Sequence, residues 1–411
     1  MTQHYNNRQK ENFPHKTTWD VEGVKKTNTY TWFKEIEEEL PQGWVKAEGN
    51  KMLMLGGYSY LGLNHHPDIN QAAIDAVQTF GTGMSGSRFL AGTTTLHAKL
   101  EEKIAALHQK EAAMVLSSGY LTNVSTIACL LKRRDYIISD KLNHASIMDG
   151  ARYSQAKMLR YKHNDADALD DILSKLPKEA QKLVITDSVF SMSGEVADLP
   201  AIIKVCKKYD AILMVDECHS MFVLGKNGGG IVDYFDLNPD DIDIIMSTLS
   251  KAIPASGGYI AANEKIINFL RHESRGFIYS VALNTSGVAT AIKALDIFET
   301  QRETLVKKLH ENTALFSNAL KSQGIEIGHS KTSIIPIHIG GVFEAARAAK
   351  MCQDEGLYIH AVFAPVVPVG KSILRASITA AHTKEDLLMA ADKIAQIIGK
   401  MKEFVPKEIA N

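Results

Sequence analysis

Ser247-Thr248-Leu249-Ser250-Lys251-Ala252-Ile253-Pro254-Ala255-Ser256-Gly257-Gly258-Tyr259 is the stretch that decides how this chain folds. It follows an apolar run, Ile242, Ile244, Ile245 and Met246, that reads as a buried strand. A hydroxyl cluster comes next, then one lysine, then a Pro/Gly-rich turn. A lysine at a strand exit is either a surface residue opening a loop or an amine held in a dry pocket. In the second case desolvation makes it a nucleophile toward an aldehyde. The choice depends on whether the rest of the chain supplies a cofactor site around Lys251.

Outward from this stretch, apolar strands alternate with amphipathic helices. Strands are predicted over Ala113–Leu116, Tyr136–Ser139, Lys182–Asp187, Ala211–Val215, Ile242–Ser247 and Gly258–Ala261. Helical patterns between them include Thr95–His108, Tyr120–Leu131 and Leu199–Lys208. Such alternation predicts an α/β fold with a mainly parallel sheet covered on both faces. Ligands of such sheets bind at the carboxyl ends of the strands. Beyond this region, a long helix over Ala289–Gln323 bridges to a small α+β unit. That unit has strands at Ile334–Ile339, Tyr358–Val362 and Ile373–Thr379, and helices at Phe343–Asp354 and Lys384–Lys400. The expected organisation is an N-terminal segment (1–51), a large domain (52–296) and a small C-terminal domain (297–411). In the first segment, the spacing of Trp32, Ile36 and Leu40 predicts an amphipathic helix.

Composition narrows the class. The 411 residues are 45% hydrophobic and carry a net charge of −1, which argues against a nucleic-acid footprint and against disorder. Met1–Thr18 is polar and lacks the apolar region of a signal peptide, and no apolar run approaches a membrane span. The four cysteines (Cys129, Cys206, Cys218, Cys352) form no CxxC pair and no metal spacing, so a reducing cytoplasm and no metal are expected.

Several residues are placed to surround Lys251. Asp216 ends an apolar strand one strand–helix–strand step away. It is either a helix N-cap or a carboxylate able to keep a pyridine nitrogen protonated, as a pyridoxal cofactor needs in order to act as an electron sink. His219 follows three residues on. His144 sits after another strand end, as an ordinary loop histidine or a flat ring that stacks on a cofactor. Ser117-Ser118-Gly119-Tyr120 lies between strand and helix, where free N–H groups and the helix dipole suit a phosphate. Thr248 offers that phosphate a hydroxyl. Thr82–Arg88 is dense in Gly and Ser, as a solvated loop or a backbone-rich surface near a ligand, with Arg88 structural or anion-binding. Period-two alternation puts Arg375, Ser377 and Thr379 on one strand face, where Arg375 is an edge residue or a carboxylate fork.

Together these stretches resemble the α-oxoamine synthases, pyridoxal 5'-phosphate (PLP) enzymes of the aspartate-aminotransferase fold (fold type I). The matching segments are Tyr60-Leu61-Gly62-Leu63, Gly83 to Gly92 with Leu96-His97, Asn143-His144-Ala145-Ser146, Val189 to Gly194, Asp216 to His219, Thr248 to Lys251, and Leu374-Arg375 through Thr383. They occur in family order and cover about residues 52 to 400.

The resemblance implies that Lys251 binds the cofactor aldehyde and later moves the Cα proton, that Asp216 pairs with the pyridinium, and that His144 stacks on the ring. It implies that His219 and Ser191 bond near the phenolic oxygen, and that Gly119, Tyr120 and Thr248 hold the phosphate. Arg375 takes the amino-acid carboxylate, with Tyr58 and Ser85 beside the substrates, and Ser280 reaches the phosphate of a partner subunit in a homodimer with shared sites. The implied reaction condenses Ala, Ser or Gly with an acyl-CoA or acyl-carrier-protein thioester, releasing CO2 and thiol and leaving an α-amino ketone. An aminotransferase and a non-catalytic scaffold subunit are the alternatives. Tyr58-Ser59 replaces the Asn-Asp of the oxononanoate synthases and is closer to the serine palmitoyltransferase branch. Ala252-Ile253-Pro254, Cys218 and Met221-Phe222 also depart from the family and are expected to alter the substrate pockets.

Overall fold

The computed structural model describes residues 20–403. The polar stretch Met1–Thr18 lies outside them.

A seven-stranded sheet carries the large unit. Its strands are β4 (Ala112–Leu116), β5 (Tyr136–Asp140), β6 (Lys157–Tyr161), β7 (Lys182–Asp187), β8 (Ile212–Asp216), β9 (Ile244–Thr248) and β10 (Gly258–Ala262), in the order β4-β10-β9-β8-β7-β5-β6. Only β10 runs against its neighbours, pairing antiparallel with both β4 and β9. The other six therefore point the same way. Side chains alternate across the sheet, so Ile245 packs into one core while Ile244 and Met246 pack into the other. Both faces are covered by helices, which is why β7, β9 and β10 are buried at every position. The apolar runs that predicted these strands follow from that burial. β6 was not anticipated, because Lys157-Met158-Leu159-Arg160-Tyr161 is an edge strand with exposed basic residues.

The segment expected to be a helix at Trp32–Leu40 is not one. It contains strand β1 (Ile36–Leu40), which pairs antiparallel with β2 (Trp44–Ala47), and β2 pairs with β3 (Asn50–Met54). The four-residue spacing of Trp32, Ile36 and Leu40 coincides with a helical period, but turn chemistry prevails. Gln42 and Gly43 take positive φ (64° and 78°), as do Glu48 and Gly49 (49° and 76°). Each pair of left-handed residues reverses the chain tightly. Glu37 and Lys46 then pair across the strands at 2.8 Å. Trp32 packs edge-on against Phe363, with ring centroids 5.5 Å apart.

The hairpin belongs to the C-terminal unit in space. β3 pairs with β12 (Leu357–Tyr358), and Leu53 and Leu55 pack in one core with residues of β11 (Ile334–Gly340), β13 (His360–Val362) and β14 (Ser372–Ser377). These last three form an antiparallel sheet in the order β11-β14-β13. The helix Thr285–Ser322 contributes Val288 through Leu309 to the large core and Phe316 and Leu320 to the small one. The expected boundaries near 52 and 297 thus fall inside β3 and inside this helix. Each fully buried Leu or Ile in these cores contributes about 2 kcal/mol.

His108 is buried and shares a 2.9 Å hydrogen bond with the Tyr259 hydroxyl. Burial pushes its pKa down to about 3. The folded value lies below the unfolded one, so this stability is present above pH 6.5 and is lost as pH falls toward 3. At pH 5 the loss is about 2 kcal/mol. Equilibrium denaturation at pH 7 and pH 5 is expected to show a smaller drop for His108→Gln than for the parent chain.

Candidate functional site

The carboxyl ends of the parallel strands carry polar residues at one edge of the sheet. Asp140 ends β5, Asp187 ends β7, Asp216 ends β8 and Thr248 ends β9. Asp187 and Asp216 are register partners, and Asp216 is opposite Met246 on β9. Lys251 lies three residues beyond Thr248, so the β8–β9 pairing delivers the carboxylate and the amine to one cavity. That cavity is about 330 Å³. Its lining includes Gly119, Tyr120, His144, Ser191, Asp216, His219, Thr248, Lys251 and Tyr58.

Each group is held by identifiable contacts. Asp216 is buried; Oδ2 accepts from Asn123 Nδ2 at 2.7 Å and Oδ1 from the Cys218 backbone N–H at 2.9 Å. His144 caps the helix Ala145–Tyr153, and its Nδ1 lies 2.7 Å from Ser146 Oγ. Burial lowers its pKa; nearby Lys251 lowers it further and Asp216 opposes. His219 shares a 2.7 Å hydrogen bond between Nδ1 and the Tyr60 hydroxyl. Its pKa falls well below the usual range, first through burial and then through Lys251 and Arg375, so the ring is neutral. Among the described residues Lys251 Nζ has no hydrogen bond or ion pair; it sits 6.0 Å from the Tyr58 ring centroid.

The phosphate-type corner is built from backbone. Ser118 caps the helix Gly119–Leu130, its Oγ accepting from the Leu121 N–H at 3.1 Å. The Gly119 and Tyr120 N–H groups stay at the open helix end beside Thr248. A Cβ on Gly119 would meet Thr248 Oγ1 at 3.1 Å, and one on Gly258 would meet the Gly119 Cα at 2.7 Å. Two glycines therefore let strand, helix and hydroxyl converge. The Tyr120 side chain turns outward, half exposed, and donates to Asp149.

Arg375 is buried on β14; Nε donates to the Ser191 carbonyl at 2.7 Å and Nη1 to Ser377 Oγ at 2.7 Å. Nη2 is buried and has no partner. The Tyr58 ring lies 5.1 Å from its guanidinium. Tyr58, Ser250 and Lys251 also line a second cavity of about 600 Å³ under the β1–β2 hairpin, with Ile36, Leu40, Trp44 and Pro254.

Not every expected residue converges. Ser85 is exposed with φ 50°, and Ser280 follows the short helix Arg275–Ile278; neither lines either cavity. Arg88 is structural: it makes a buried two-pronged ion pair with Glu101 at 2.7 and 3.1 Å. Of the departures from the family, Cys218 and Pro254 line cavities, but Ile253, Met221 and Phe222 are core residues. Asn123, Ser146 and Asp187 also line the cavity, and Tyr60 reaches it through its bond to His219; that bond spans 159 positions and has no local signal in the sequence.

The unpartnered Asn123 Oδ1 and Asp187 Oδ1, in residues that line a cavity with one free amine, fit a polar occupant such as PLP, whereas Arg375 lies outside that lining. A family model, "Aminotransferase class I and II", matches residues 50–394. The chain belongs to this family. It is 39% identical to a serine palmitoyltransferase of Sphingobacterium spiritivorum over 92% of this chain and 94% of that one. It is also 39% identical to an 8-amino-7-oxononanoate synthase of Thermoanaerobacter pseudethanolicus, covering 94% and 97%. A solved serine palmitoyltransferase from S. paucimobilis with bound PLP superposes with a TM-score of 0.90 at 30% identity, covering 93% of this chain and 96% of that one. The relatives are α-oxoamine synthases, and the fold is the fold type I that the motifs implied.

Gly258→Ala would force apart β10 and the Gly119 helix end. A stability loss of about 1–3 kcal/mol is expected in denaturant titration, together with weakened binding of inorganic phosphate measured by calorimetry.

Proposed function

We propose that this chain is a PLP-dependent acyltransferase that condenses a small amino acid (Ala, Ser or Gly) with an acyl thioester, releasing CO2 and thiol and leaving an α-amino ketone. The observation that carries this reading is the free amine of Lys251 facing the doubly hydrogen-bonded Asp216 across one cavity. When bound, PLP supplies an electron sink that makes the amino acid's α-carbon acidic.

The chain's own residues do the rest. Lys251 Nζ is the amine that would hold the cofactor aldehyde and the base that would move the substrate's α-proton. Asp216, fixed by Asn123 and the Cys218 N–H, keeps the ring nitrogen protonated. His144, which lines the cavity from its helix cap, would stack on the ring. His219, neutral and oriented by Tyr60, serves the phenolic oxygen together with Ser191. The Gly119 and Tyr120 N–H groups and Thr248 hold the phosphate. Arg375, whose Nη2 makes no hydrogen bond and whose guanidinium lies 5.1 Å from the ring of the cavity-lining Tyr58, would take the substrate carboxylate. The adjoining cavity shares Lys251 and would give a thioester a path to the amino acid's α-carbon held beside that amine.

A homodimer would give Ser280 and Ser85, which line neither cavity of their own chain, a place in the other copy's site. The carrier is acyl-CoA or an acyl-carrier protein. Four unpaired cysteines support a cytoplasmic location. Among the described residues no helix is long and apolar enough to cross a membrane.

Incubation with Ala, Gly or Ser, with and without acyl-CoA, tests the reading. Release of CO2 and thiol only when both substrates are present is expected; transfer of the amino group to an oxo acid would overturn it. Lys251→Ala is expected to lower turnover by on the order of 10^4-fold and to abolish reducible PLP attachment seen by mass spectrometry. Asp216→Asn should lower turnover by about 10^2–10^3-fold, measured by the same thiol assay, with PLP still bound.

A further inference from the structure

We propose that Asp187 is a second acid of this site, donating a hydrogen bond through Oδ1 to an oxygen of the molecule held in the cavity. This rests on the functional reading above and goes beyond it, since neither the motifs nor the family resemblance gave Asp187 a role.

The geometry separates two neighbouring carboxyl groups. Asp187 and Asp216 end adjacent parallel strands as register partners, and both line the cavity. Asp216 spends both oxygens on N–H donors, at 2.7 and 2.9 Å. Asp187 has only one: Oδ2 accepts from the His144 backbone N–H at 3.0 Å. Its own N–H donates to Asn143 Oδ1 at 2.9 Å, which locks the backbone at this point. Oδ1 is buried with no partner, in a residue only 5% exposed. A buried carboxyl oxygen left unpaired is destabilising unless something meets it.

An oxygen-rich anion in the cavity cannot be met by a second carboxylate, but it can be met by a carboxylic acid. Asp187 is biased to that form. Burial first, and the Asp216 carboxylate second, push its pKa well above the usual range; the His144 N–H and Lys251 oppose, and Asp140 from β5 adds to the rise. The pair thus divides the work, with Asp216 accepting and Asp187 donating. The occupant's acceptor is either the phenolic oxygen of PLP or the carboxylate of a bound amino acid. Both are anionic oxygens, and both lie within the chemistry this site is read to perform.

Infrared difference spectroscopy tests this without acyl transfer. PLP is added to the wild-type apoprotein, and alanine is then added to the loaded protein. The expected result is a protonated-carboxyl C=O band that shifts in one of the two steps and is missing from Asp187→Asn. A shift with PLP alone assigns the phenolic oxygen; a shift only with alanine assigns the substrate carboxylate. In parallel, fluorescence quenching should give Asp187→Ala a PLP or alanine affinity about 5–10-fold weaker, with Asp187→Asn losing less because its amide also donates. Absence of the band, a band unmoved in both steps, or equal loss in the Asn and Ala variants overturns the inference while leaving the condensation reading intact. Wild-type protein that binds no PLP overturns both.

Discussion

The parallel pairing of β8 with β9 fixes where chemistry can occur in this chain. Met214 lies opposite Ile244 and Asp216 opposite Met246, so the carboxylate and the Ser247–Lys251 exit reach the same sheet edge. Slipping that register by one residue would turn every side chain of a strand to the opposite face. The alternating burial of β9 between two cores forbids such a slip, because Ile245 and Ile244 have no equivalent place on the other face. The hydrophobic effect that stabilises the sheet is therefore also what aligns the site.

Burial also sets the charge states around Lys251. His144 and His219 are held neutral chiefly by desolvation, and the cations of Lys251 and Arg375 reinforce that at His219. Glu217, next to Asp216, is pushed up to about 7 by burial and stitches the following loop through Ser220 and the Ile231 N–H. Burial of this kind strengthens each remaining electrostatic contact. Arg375 Nη2 and Asp187 Oδ1 are buried without a hydrogen-bond partner.

Much of this was legible in the sequence, for physical reasons that differ by residue. The central strands are buried on both faces, so their apolar runs are continuous and easily found. Asp216, His144 and Thr248 were found because each terminates or follows such a run. The hairpin at Ile36–Ala47 was misread as a helix because Trp32, Ile36 and Leu40 mimic a helical period, while the deciding left-handed pairs Gln42-Gly43 and Glu48-Gly49 carry only one glycine each. Ile253, Met221 and Phe222 pack in the large core, a placement that motif comparison does not reveal.

By itself the sequence determined the strand–helix alternation, the family, the lysine and the acid, since local periodicity and motif order encode them directly. The tertiary structure alone decided that Tyr60 orients His219, that Asn123 holds Asp216, that Arg88 belongs to an ion pair, and that Asp187 lines the cavity and has one buried oxygen without a hydrogen-bond partner. These relations join residues whose proximity depends on sheet register and helix packing. The stretch around Lys251 named the chemistry; the packing of distant strand ends determined which groups are free to perform it.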